Sequence, residues 1–83
     1  AAFRKFFTPK RLQLLHIIKY NQPDSIYELA KVANRDFKNV VEDVRLLEKN
    51  KLIDTQKIII TGKSGYKIKP NINYDKFNVE IAI

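Results

Sequence analysis

Apolar residues recur first with a period near 3.6 and later with a period of two, and the change falls near Lys51. The run PKRLQLLHIIKY, from Pro9, places Leu12, Leu14, Leu15 and Ile18 at helical spacing. Thr8 stands where a hydroxyl can accept from the free amides, and Pro9 is pre-set for a first helical turn. NQPD stops this helix, because Pro23 lacks an amide donor and disfavours helix at Gln22. Ser25 and Glu28 form the Ser-x-x-Glu of a capping box, which predicts a short second helix over 25–32 with Ile26, Leu29 and Ala30 inward. The turn ANRD leads to a third helix predicted over 36–50, capped by Asp36. In it Phe37, Val40, Val44 and Leu47 follow spacings of three, four and three, a single core stripe.

Beyond Lys51, LIDTQKIIIT and YKIKPNI are rich in β-branched residues and flank GKSG, which predicts a β-hairpin. Pro70 belongs where no ladder donor is needed, at an edge or a strand end. Phe77, Val79, Ile81 and Ile83 alternate with Asn78, Glu80 and Ala82, the pattern of a half-buried strand. Three helices, a hairpin and a closing strand make an α+β fold in one domain, 1–83. The arrangement expected is a winged helix-turn-helix: a three-helix core, a β-hairpin wing and a C-terminal strand.

The chemistry available is narrow. The chain has no Cys and its single His is His16, which excludes disulfides and a conventional zinc cage. Absence of Cys fits a reducing compartment, so a cytoplasmic, nucleoid-associated location is expected. No stretch approaches the ~18–20 apolar residues of a membrane span, and no membrane partner is expected. His16, between Leu15 and Ile17, reads as a packing or surface residue rather than a catalytic base. Glu42, Asp43 and Glu48 share a helix with Lys38, Arg45 and Lys49, and ion pairing along it, as for Glu42 with Lys38 and Arg45, explains them better than a catalytic pair. Gly62-Lys63-Ser64 has the end of a phosphate-loop pattern, but Lys57 stands where the leading Gly is required, and strands are predicted on both sides. An enzyme is therefore not expected, and neither is a cofactor.

The formal net charge of +7 suits a polyanion, and its distribution refines the point. Residues 1–20 carry five Lys or Arg and no acid, whereas residues 21–50 carry five basic residues against six acidic. Residues 51–69 carry five Lys against Asp54. Positive charge thus flanks a nearly neutral middle. A Lys-rich surface also serves solubility, so charge alone does not name a partner.

The organisation does point to one. Helices over 25–32 and 36–50, joined by a short turn, set the second helix ready for the major groove of double-stranded DNA. Its face opposite the core stripe carries Lys38, Asn39, Glu42 and Arg45, with Arg35 just before it. Arg and Lys can read guanine, Asn adenine, and Glu can accept from cytosine. The hairpin offers Lys57, Lys63, Ser64, Lys67 and Lys69 to the phosphate backbone or minor groove. Thr8, Lys10 and Arg11, at the start of the first helix, can hold a phosphate at the groove edge. An ordinary solvated face is the alternative for every one of these residues.

The run TPKRLQLLHIIKYNQPDSIYELAKVANRDFKNVVEDVRLLEKNKLID resembles the MarR-like winged-helix regulators of archaea and bacterial plasmids. The resemblance covers residues 8–55, and more loosely the closing YDKFNVEIAI. It rests on TPKR…LL, SIYELA and RD-aromatic-KNV taken together. It implies transcriptional regulation, and some relatives look like the antitoxin of a toxin–antitoxin pair. It places Arg35, Lys38 and Asn39 at the start of the recognition helix. Val41 departs from the polar residue often seen there, and the hairpin is richer in Lys and poorer in Gly than the resemblance leads one to expect. Phe3, Phe6 and Phe7, with the strand from Phe77 to Ile83, either form a homodimer contact or close the core of a monomer. A protein-interaction module, antitoxin-like or a subunit of a larger assembly, is the rival to DNA binding.

Overall fold

The computed structural model describes residues 6–60, 62 and 65–73. Among the described residues the ranged helices are α1 (Pro9–Asn21), α2 (Ile26–Ala33) and α3 (Phe37–Lys49). An antiparallel hairpin of β1 (Ile53–Ile59) and β2 (Tyr66–Ile72) follows. The described residues are thus α+β, three ranged helices and a two-stranded sheet. Phe3 and the strand expected over 77–83 lie outside the described residues.

The helix starts follow their caps. The Thr8 hydroxyl accepts from the Arg11 amide at 3.2 Å, and Pro9 opens α1. The Ser25 hydroxyl accepts from the Glu28 amide at 3.0 Å. Glu28 reaches back as a capping box requires, but one residue further, accepting from the Asp24 amide at 2.7 Å. Asp36 occupies the cap position of α3 with an extended backbone, yet its side chain makes no capping hydrogen bond. The expected cap there is positional only.

All three helices stop at a non-glycine residue in the left-handed region: Gln22 (φ 48°), Asn34 (φ 55°) and Lys51 (φ 63°). After α2 the Asn34 amide donates to Lys31 and the Arg35 amide to Ala30. After α3 the Lys51 amide donates to Glu48 and the Leu52 amide to Leu47. Both endings are Schellman turns, which satisfy carbonyls that would otherwise be orphaned. The second drives the chain straight from α3 into β1.

The core collects Leu14, Leu15, Ile17 and Ile18 from α1, Leu29, Ala30 and Ala33 from α2, and Val40, Val44 and Leu47 from α3. Leu52, Ile53 and Ile72 close it from the base of the hairpin. Ile26, Leu12, Phe6 and Phe7 pack against it while remaining partly exposed. Phe37 is the exception among the expected core residues. It is 48% exposed and rests beside Tyr27, because it sits at the first turn of α3, on the margin of the stripe.

Pro70 lies within β2, opposite Thr55, and is buried. Among the described residues the sheet has two strands, each an edge, so the missing donor of Pro70 breaks no central ladder there. At the base, Asn73 donates from its amide to the Leu52 carbonyl (3.0 Å) and from Nδ2 to that of Lys51 (2.8 Å). These bonds tie the end of β2 to the exit of α3. Among the described residues no helix is long and apolar enough to cross a membrane.

Candidate nucleic-acid interface

The α2–turn–α3 segment fixes which face of α3 looks outward. Val40, Val44 and Leu47 anchor one side of the helix in the core. The opposite side presents Lys38, Asn39, Glu42 and Arg45, all four exposed. Among the described residues none of these side chains takes part in an ion pair or hydrogen bond. The four candidate reading residues therefore share one solvent-facing surface. It offers cationic donors, an amide with both donor and acceptor, and a carboxylate acceptor.

Arg35 and Arg11 are placed differently. Arg35 Nη2 donates to Asp43 Oδ2 at 2.9 Å, and Arg11 Nε donates to Asp43 Oδ1 at 3.2 Å. One carboxylate on α3 thus joins α1 to the α2–α3 turn. Arg11 is held further by a 2.7 Å bond from Nη1 to the Phe6 carbonyl, and its guanidinium lies 5.3 Å from the Phe6 ring centre. The Arg35 and Asp43 side chains are only 14% and 15% exposed. Arg35 Nη1 is buried with no hydrogen-bond partner. Both guanidinium groups, expected at a DNA surface, are turned inward and paired with Asp43. Asp43, expected to pair along its own helix, takes its partners from other elements. A sequence signal existed. Asp43 lies three residues after Val40 and four before Leu47, on the flank of the core stripe, where a carboxylate needs a partner.

Beside them, Lys10 is exposed at the start of α1, while the Thr8 hydroxyl is occupied as the helix cap. Lys10 is thus the one first-helix candidate left outward.

The hairpin register divides its lysines. Ile53↔Ile72, Thr55↔Pro70, Lys57↔Ile68 and Ile59↔Tyr66 share one face. Asp54↔Asn71, Gln56↔Lys69 and Ile58↔Lys67 share the other. Lys57 is exposed, with its ammonium 4.2 Å from the Tyr66 ring centre, while Lys67 and Lys69 are half-buried. Lys63 and Ser64 lie outside the described residues. Gly62 and Gly65 both have positive φ, 79° and 133°, a region that glycine adopts without the cost of a Cβ. A strand, not the helix that a phosphate loop needs, follows them.

Between α2, α3 and the hairpin runs an open cleft of about 770 Å³, lined by Tyr27, Phe37, Val41, Arg45, Tyr66 and Ile68 among others. Its aromatic character was not foreseen from the sequence. The alternation that puts Tyr66 and Ile68 on one strand face was visible, but the placement of that face was not.

Three helices, a turn that projects the third, and a lysine-bearing hairpin define a small α+β domain with an outward polar helix face. The family model described as HVO_A0114 matches residues 6–79, and the chain belongs to that family. No curated protein and no solved structure matches the chain.

Proposed function

We propose that the chain is a winged helix-turn-helix domain that binds double-stranded DNA in a sequence-specific manner and regulates transcription. The observation that carries this reading is the outward face of α3, where Lys38, Asn39, Glu42 and Arg45 stand exposed and unengaged. A helix held by its opposite face, with base-reading groups outward, suits entry into a major groove. Lys57, Lys67 and Lys69 of the hairpin, with Lys10, supply the phosphate contacts that set register without reading sequence. Glu42 repels bulk phosphate, so affinity comes from the flanks and discrimination from α3. The part of the proposal that names transcription draws on the MarR-like resemblance.

Phe6 and Phe7 pack edge to face, 5.0 Å apart, against the chain's own core. That contact supports the core-closing role for these two rings. A homodimer would set two copies of α3 about one helical turn apart on a palindromic site. Sedimentation at micromolar concentration that finds only a 9.8 kDa species excludes it.

The direct test is titration of labelled random duplex at several salt concentrations. Binding with a log–log salt slope of roughly −4 to −5, for four to six phosphates neutralised per subunit, supports the proposal. Absence of binding at about 50 mM salt rejects it, since phosphate contacts are strongest there. In that event the exposed Tyr27, Phe37, Ile59 and Tyr66 favour a protein-interaction module instead.

A further inference from the structure

The cleft beside α3 carries exposed aromatic surface that duplex reading does not use. Tyr27 is 62% exposed and Tyr66 55% exposed, with Phe37 nearly as open as Tyr66. Each ring has a close partner. The Lys31 ammonium lies 5.3 Å from the Tyr27 ring centre, Lys57 lies 4.2 Å from Tyr66, and the Tyr27 and Phe37 rings are 6.2 Å apart. Arg45 and Lys67 also line the cleft. Its acidic member, Glu48, accepts a hydrogen bond from the Thr55 hydroxyl across the gap.

Flat rings, two of them with an ammonium over one face, complement a ligand that stacks on an open face and is anionic along its backbone. Unpaired nucleotides have that chemistry, because each base offers a π-face and each linkage a phosphate. Bases within a duplex cannot use the rings, since their faces are covered by their neighbours. We propose that the cleft between α2, α3 and the hairpin binds single-stranded nucleic acid, stacking bases on Tyr27, Phe37 and Tyr66. Lys31, Arg45 and Lys57 hold the adjoining phosphates. This binding does not require the duplex reading to be correct. An acidic peptide with an apolar face matches the charge but not the planarity, so it is the competing occupant.

The test is fluorescence anisotropy of the full chain with a labelled oligothymidine of about 15 nucleotides, beside a duplex of the same length and a Glu/Leu peptide. Tyr66→Leu and Phe37→Leu are each expected to weaken oligothymidine binding roughly five- to hundredfold. Phe37→Trp keeps the affinity, and Tyr20→Leu leaves it unchanged. Tyr20 is an apt control, being 66% exposed and close to Lys19 but absent from the cleft lining. Melting curves confirm that each variant is folded. Equal affinity for Tyr66→Leu and the parent chain overturns the proposal, as does an equal loss from Tyr20→Leu. Tighter, Tyr66-dependent binding of the peptide overturns it in favour of a protein partner. Failure of the duplex arm alone removes the double-strand reading and leaves this one standing.

Discussion

Arg35 Nη2 sits 2.9 Å from Asp43 Oδ2, both side chains largely withdrawn from water, and Arg11 occupies the other oxygen of the same carboxylate. The three groups come from the α2–α3 turn, α3 and α1, so one acid ties the helical layer together. Charge-assisted bonds at partly buried positions are worth more than exposed pairs, and losing one partner strands the others. Asp43→Ala should lower stability by about 2–3 kcal/mol, a figure kept below that of a fully buried pair because the groups retain some solvent. Chemical denaturation checks it. A loss under about 0.5 kcal/mol, the range of ordinary surface substitutions, would falsify the structural role.

The same pairing alters what Arg35 is expected to do for DNA. Arg35→Ala should weaken all duplexes alike, through loss of α3 positioning, and lower the melting temperature with it. Asn39→Ala and Arg45→Ala should leave the melting temperature unchanged and relax discrimination by ~1–3 kcal/mol at particular base pairs. A selection from random duplex with each variant separates the cases. A changed preference at one base pair from Arg35→Ala, with normal stability, would return that residue to the reading surface.

Among the hairpin lysines, Lys57→Ala should weaken binding uniformly and reduce the magnitude of the salt slope by about one. Sequence-dependent losses from this variant would contradict the division between hairpin and helix.

Lys51 holds the left-handed position that ends α3, at φ 63°. A side chain there costs energy that glycine does not, offset in part by the greater freedom of glycine in the unfolded chain. Lys51→Gly should therefore stabilise the domain by about 0.5–1 kcal/mol, seen as a rise of a few degrees in melting temperature. A fall would mean that the lysine side chain contributes more than the backbone strain costs.

Phe37 and Leu47 had the same expectation as members of one stripe, yet only Leu47 is sealed from solvent. Leu47→Ala should cost about 2–5 kcal/mol, as core truncations do, while Phe37→Ala should stay below about 1 kcal/mol. Comparable losses from the two would show that the first turn of α3 is covered in solution.

Much of the architecture was legible before folding because its causes are local. Thr8, Pro9, Ser25 and Glu28 announce helix starts through bonds within one turn. The hairpin follows from β-branched runs around a glycine turn. Lys38, Asn39, Glu42 and Arg45 were read as outward from helical period alone, and that exposure is found. What the chain could not disclose is which marginal positions a neighbouring element would cover. Phe37 and Asp43 both flank the core stripe of α3, yet the aromatic is left open and the acid is roofed over by two arginines from elsewhere. The register likewise decided that Lys57 shares a face with Ile68 and Tyr66 while Lys67 and Lys69 take the other. Periodicity sets the direction of each side chain from its own axis. Only packing between elements decides what meets it there, because ion pairs and ring contacts act across distances in sequence that no local pattern encodes.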